Sequence, residues 1–159
     1  MPIDIRILGP GDEALLLGSA PGVFDDAVQP ALAREFLSDA RHLLSVAIDG
    51  STIVAMASGV LYVHPDKPTE MWVNELGTAP SHRGRGLAKA VLGALLERAR
   101  VGGCGEAWVL TDPGNEAAMR VYEGLGGEQA GKPSVMFTFR LPSSSGPDAR
   151  TTREGPKPS

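Results

Sequence analysis

The chain has 159 residues, 42% of them hydrophobic and 21% charged, and a net charge of -4. That length suits one domain with a sizeable core, and the mild acidity speaks against a general nucleic-acid binder, whose surface would be basic. The apolar runs are too short for a membrane span, the start carries Asp4 and Arg6 where a signal peptide would be basic then apolar, and the one cysteine, Cys104, allows neither an internal disulfide nor a cysteine metal cluster. A cytoplasmic location is the default expectation.

Residues 3–8 alternate as a short first strand, and Asp12 is placed to cap a short helix over 12–20. Asp25 and Asp26 form an acidic turn before a second helix, with Pro30 in its first turn and Leu32, Phe36 and Leu37 on one side. Residues 42–63 read as a hairpin turning at Asp49-Gly50, and 71–78 as a further strand. After it, Leu87, Val91, Leu92, Leu95, Leu96 and Ala99 recur at helical spacing until Gly102-Gly103. A strand over 106–112, a helix over 115–127 and a last strand over 134–141 complete the order. From Pro142 onward no apolar residue exceeds alanine in size, so the expectation is a domain at 1–141 and a disordered tail at 142–159. The hairpin must be antiparallel, whereas strand-helix-strand crossovers favour parallel neighbours. An α/β fold follows, with a mixed sheet and helices on both faces.

The segment "NELGTAPSHRGRGLAKAVLGALL" (74–96) joins a strand to a helix through a glycine-rich turn. The first N–H groups of a helix lack internal acceptors and carry the positive end of its dipole. Gly84 and Gly86 let the chain curl so that such groups converge on an anion, and Arg83 and Arg85 add charge beside them. A phosphate or pyrophosphate fits; a tight loop with two solvated arginines fits as well. A nucleotide P-loop would need Gly-Lys-Ser/Thr where Gly86-Leu87-Ala88 stands, and the dinucleotide fingerprint would need a third glycine where Lys89 stands.

Arg83-x-x-Gly86-x-Ala88 resembles the acyl-CoA pyrophosphate motif of the GCN5-related N-acetyltransferases (GNAT). Asn115, Ala118, Tyr122 and Gly126 are similar to a second signature of that family, Asn-x-x-Ala-x-x-x-Tyr-x-x-x-Gly. The likeness spans roughly 3–141. It implies a GNAT fold: a mixed, mostly antiparallel sheet whose central parallel pair is splayed by a bulge, with pantetheine in the gap. Acetyl-CoA is then the donor, held by Leu76, Gly77, Thr78, Arg83, Gly84, Arg85, Gly86, Leu87, Ala88, Asn115, Ala118 and Tyr122. Family members often carry an apolar residue where Thr78 stands.

Acetyl transfer needs a neutral amine and a protonated leaving thiolate. Glu75, a carboxylate in an apolar strand, is the candidate base; its alternative role is a structural ion pair. The resemblance makes Tyr122 the acid for the departing sulfur, with helix packing as its alternative. "VFDDAVQPALAREFL", "YVHPDKP", "WVLTD" and "VMFTF" further resemble the class I aminoglycoside 3-N-acetyltransferases. That resemblance implies an acceptor pocket bordered by Asp25, Asp26, Tyr62, His64, Glu75 and Asp112, an aminoglycoside amine as substrate, and a homodimer. A GNAT acting on another small or peptide amine, and a non-catalytic acyl-CoA-binding regulator, remain as alternatives. His82 reads as a solvated loop residue, His42 receives no role, and Trp72 and Trp108 are expected in the core. No metal site is expected.

Overall fold

The computed structural model describes residues 2–143, and the chain divides after Glu128 into two units. The first carries β1 (Asp4–Ile7), α1 (Glu13–Leu17), α2 (Pro30–Ser38), β2 (His42–Asp49), β3 (Thr52–Tyr62), β4 (Glu70–Thr78), α3 (Leu87–Val101), β5 (Glu106–Val109) and α4 (Glu116–Gly124). The strands lie in sequence order, β1-β2-β3-β4-β5. All neighbours are antiparallel except β4 and β5, which the crossover through α3 makes parallel.

Burial explains why the middle strands read as unbroken apolar runs. Leu43–Ile48 and Ile53–Gly59 are buried throughout, because helices cover the sheet on both faces: α3 contacts β1 to β4, α1 contacts β3 and α2 contacts β2. The stripe Leu87, Val91, Leu92, Leu95 and Ala99 of α3 is the buried side of that helix. Each large apolar side chain so placed stabilises the fold by about 1.5–3 kcal/mol relative to exposure. Gly50, at φ 63, gives the β2–β3 turn the left-handed geometry a tight hairpin requires. Pro30 sits in the first turn of α2, where its missing N–H has no helical partner to lose.

Some local expectations change. Asp12 stands at the N-cap of α1 but makes no side-chain cap; its carboxylate instead accepts from Gly9 N and Arg6 Nη2, each at 2.9 Å. In the second unit, residues 129–143 form neither helix nor strand, so the strand expected over 134–141 is not formed. Val135, Met136, Phe137, Phe139 and Leu141 are each at least 79% exposed. Alternating apolar residues supply a pattern, but a strand exists only with a ladder partner. The tail expected at 142–159 lies, beyond Ser143, outside the described residues.

Candidate active site

Two irregularities in β4 open the sheet. Against β3, Val73 pairs with Gly59 and Glu75 with Ser58, so Asn74 is an extra residue, a bulge. Against β5, pairing stops at Val73–Val109, although β4 runs on to Thr78. The strands part there, leaving Asn74–Thr78 with one free edge. Gly77 is not itself the bulge. It marks a close backbone approach: a Cβ at this position would stand 2.0 Å from the Val23 carbonyl oxygen, which only glycine permits.

At the end of β4 a 3₁₀ turn, Pro80–His82, leads into the glycine loop. Gly84 and Gly86 take φ values of 73° and 75°, in the region that suits glycine. Gly86 is the N-cap of α3, and no side chain caps that end. Its first amides are therefore offered outward, with Arg83, Arg85 and Lys89 nearby on the chain. His82 is not a solvated loop residue. Its ring is anchored on both sides: Nε2 lies 3.0 Å from Asp49 Oδ2 and Nδ1 lies 2.8 Å from Ser81 Oγ. The β2–β3 turn thus braces the glycine loop, and the His82 hydrogen bond lowers the Asp49 pKa.

A cavity of about 640 Å³ runs along these elements. From the residues expected to hold the donor it gathers Leu76, Gly77, Thr78, Arg83, Gly84, Gly86, Leu87, Ala88, Asn115 and Ala118, and from those expected at the acceptor Asp25 and Glu75. Arg85, Asp26, Tyr62, His64, Asp112 and Tyr122 do not line it. Sequence reasoning missed Lys89, Val23 and Asn74, which do. Lys89 had a signal, a cation in the first turn after Gly86; Val23 had none, because it arrives through tertiary packing.

Asn115 caps α4, its side-chain oxygen accepting from Ala118 N at 3.1 Å. Tyr122, on the same helix next to cavity-lining Val121, is packed against the core, and burial raises its pKa. Its hydroxyl therefore stays protonated at neutral pH. Asp112 turns inward on its own loop, accepting from Gly114 N at 2.7 Å.

Glu75 is the electrostatic centre. Burial raises its pKa, and the carboxylates of Asp25 and Asp26 raise it further. Among the described residues no cation forms an ion pair with it. The structural ion pair offered as its alternative role is absent from this set.

Tyr62 and His64 belong to a different cluster, at the start of β4. Tyr62 Oη donates to Glu70 Oε2 at 2.7 Å and accepts from Trp108 Nε1. Lys67 Nζ holds Glu70 Oε1 at 2.7 Å, and His64 Nε2 lies 3.6 Å from Oε2. Lys67 and Tyr62 bring the Glu70 pKa down to about 2. Trp72 and Trp108 are not core residues: Trp72 is 36% exposed, and the two indoles stack with centroids 5.7 Å apart. The alternation of β4 places Met71 and Val73 inward, which turns Trp72 out.

Among the described residues no group of His, Cys, Asp and Glu could hold a metal ion, and no helix is long and apolar enough to cross a membrane.

Comparison with known proteins gives this geometry a lineage. The family described as Acetyltransferase (GNAT) family matches residues 14–126. The N-alpha-acetyltransferase RimI of Mycobacterium tuberculosis is 35% identical over 132 residues, 82% of this chain and 77% of the relative. Two solved structures share the fold at a TM-score of 0.70. One is AAC(6')-Iy in complex with the bisubstrate analogue CoA-S-monomethyl-acetylneamine, 24% identical and covering 89% of this chain and all of its own. The other is an aminoglycoside acetyltransferase from an uncultured soil metagenomic sample, 23% identical over 91% of this chain and all of its own. At those identities the structural likeness concerns the fold alone. With most of its length matched by the family and a relative of this similarity, the chain belongs to the GNAT acetyltransferases, enzymes that use acetyl-CoA as donor.

Proposed function

We propose that the chain transfers acetyl from acetyl-CoA to an amine of an aminoglycoside, at the 3-amino group, within a ternary complex. The observation that carries this reading is the carboxylate of Glu75 in the cavity wall, its pKa raised by burial and then by the carboxylates of Asp25 and Asp26. A cluster of carboxylates with no cation paired to Glu75 among the described residues favours a polycationic acceptor through charge-assisted hydrogen bonds.

In this reading the uncapped amides of Arg83–Ala88, with Arg83, Arg85 and Lys89, receive the diphosphate. The free edge of Leu76–Thr78 pairs with the pantetheine amides as an added strand would, and Asn115 and Ala118 flank the arm. The glycine geometry and the splayed strands fit that shape. Glu75 removes a proton from the acceptor ammonium, directly or through water. The amine nitrogen forms its bond to the acetyl carbon as the carbon–sulfur bond breaks. Tyr122 gives its hydroxyl proton to the departing sulfur, the nitrogen's second proton passes to the tyrosinate so formed, directly or through water, and backbone N–H groups beside the bulge stabilise the thioester oxygen. Asp26, Tyr62, His64 and Asp112 border the acceptor more distantly. A cytoplasmic homodimer is part of the proposal.

A second reading, the α-amine of a protein chain as acceptor, is favoured by the 35% identity to RimI. A thiol-release assay with acetyl-CoA decides between them. Turnover with gentamicin that exceeds turnover with N-terminal peptides supports the aminoglycoside; turnover with peptides alone overturns it. A regulator without catalysis would bind CoA yet release no thiol, whatever the acceptor.

A further inference from the structure

Paired residues of antiparallel strands share a face. Ser58 faces Glu75, Val60 faces Trp72, and Tyr62 faces Glu70. Glu75 and Trp72 are therefore on one side of the sheet, one pleat repeat apart along β3, roughly 7 Å. Trp108 adjoins Trp72 across the parallel register, stacked with the ring planes nearly parallel at an interplanar angle of 14°. A broad apolar surface thus stands next to the candidate base, on its own face.

The polar edge of Trp108 is already spent. The Trp108 N–H is taken by Tyr62, the Tyr62 hydroxyl by Glu70, and Glu70 by Lys67. Tyr62 also meets Trp108 edge-on and His64 at 4.8 Å between centroids. This network fixes the indole of Trp108 and leaves it no donor for a ligand, so Trp108 presents π surface and apolar area, with the stacked indole of Trp72 beside it. Acidic groups bracket that surface: Asp25, Asp26 and Glu75 on one side, and exposed Glu106, paired in register with Glu70, on the other. Aromatic surface between carboxylates suits a ring that is apolar on its faces and cationic at its rim.

We propose that Trp72 and Trp108 form the acceptor subsite that receives the ring body of the aminoglycoside while its reacting amine lies at Glu75. The assignment rests on the acceptor reading above and makes the indoles specificity-determining residues of that reaction.

The chain contains two tryptophans, and both are in this subsite, so its whole tryptophan emission reports on the proposed contact. With Glu75→Gln enzyme saturated with CoA, gentamicin should change that emission saturably. Trp72→Ala should raise the gentamicin KM about tenfold, a change typical of losing one aromatic–cation contact, with the acetyl-CoA KM and the KM for the ringless amine 1,3-diaminopropane unaltered. Trp72→Phe should restore most of the loss, which a folding defect would not allow. Acetylation of gentamicin with silent emission and an unchanged KM in Trp72→Ala would overturn the subsite and leave the acceptor reading standing. Acetylation of peptides alone would overturn the acceptor reading, and the ring occupant with it.

Discussion

The two glutamates near the ends of β4 are treated in opposite ways by the fold. Glu70 is held by Lys67 and Tyr62, and its pKa falls to about 2. Glu75 pairs with no cation among the described residues; burial raises its pKa, and its neighbours Asp25 and Asp26 raise it further. Both are carboxylates on the same strand and the same face. A carboxylate that the fold satisfies is a fixed anion that fastens loops; one left unsatisfied is a proton acceptor awaiting a cationic partner. Environment, rather than residue type, separates structure from chemistry here.

The comparison is broken most severely by exchanging each acid for its amide. Glu75→Gln should lower kcat by roughly 10²–10⁴-fold, the usual contribution of a general base, while affinity for CoA stays unchanged in calorimetry. Glu70→Gln should leave kcat nearly untouched and instead disturb the tryptophan emission, because Tyr62 loses its charged acceptor and Trp108 its anchor. Equal losses in both variants would erase the distinction. Tyr122→Phe should slow transfer by about ten- to a hundredfold; an unaltered rate would leave it a packing residue.

On the donor side, Gly86→Asp should weaken CoA binding about tenfold or more. It forces a side chain into a φ of 75° and sets an anion beside the phosphates. Unchanged affinity would remove the glycine loop as the phosphate site.

The smallest effects are in pH. The acidic limb of kcat/KM should lie above the ordinary carboxylate range, because the base form of Glu75 is disfavoured, and Asp25→Asn with Asp26→Asn should move it down. The sign is opposite at Glu70. Its lowered pKa contributes stability that is present above the unfolded value of 4.5 and is lost only as pH falls through about 2. Tryptophan emission should therefore hold at pH 4 and change near 2.

Much of this was legible in the chain because its signals are local. Helix spacing from Leu87 to Ala99, the Asp49-Gly50 turn and Pro30 each depend on residues a few positions apart, and each element formed. The glycine loop was visible for the same reason, since Gly84 and Gly86 need no distant partner to adopt positive φ. What was illegible arises from tertiary partners. Glycine at 77 could mean a bulge or a close approach, and only the arrival of Val23 decides it. Trp72 and Trp108 read as core because indoles are usually buried; their face became known only with the register of three strands. Tyr62 and His64 were expected to border the acceptor, yet the Tyr62 hydroxyl turns out to be engaged with Glu70 and Trp108, and His64 packs beside Tyr62 and Glu70. The apolar alternation over 134–141 carried no information about a partner strand.

One measurement bears most directly on the account: single-turnover acetyl transfer by wild type, Glu75→Gln and Glu70→Gln, each preloaded with acetyl-CoA and mixed with gentamicin at neutral pH. The prediction is rapid transfer by wild type and Glu70→Gln and a rate lower by about two orders of magnitude or more in Glu75→Gln. Full-speed transfer by Glu75→Gln with CoA still bound would contradict it.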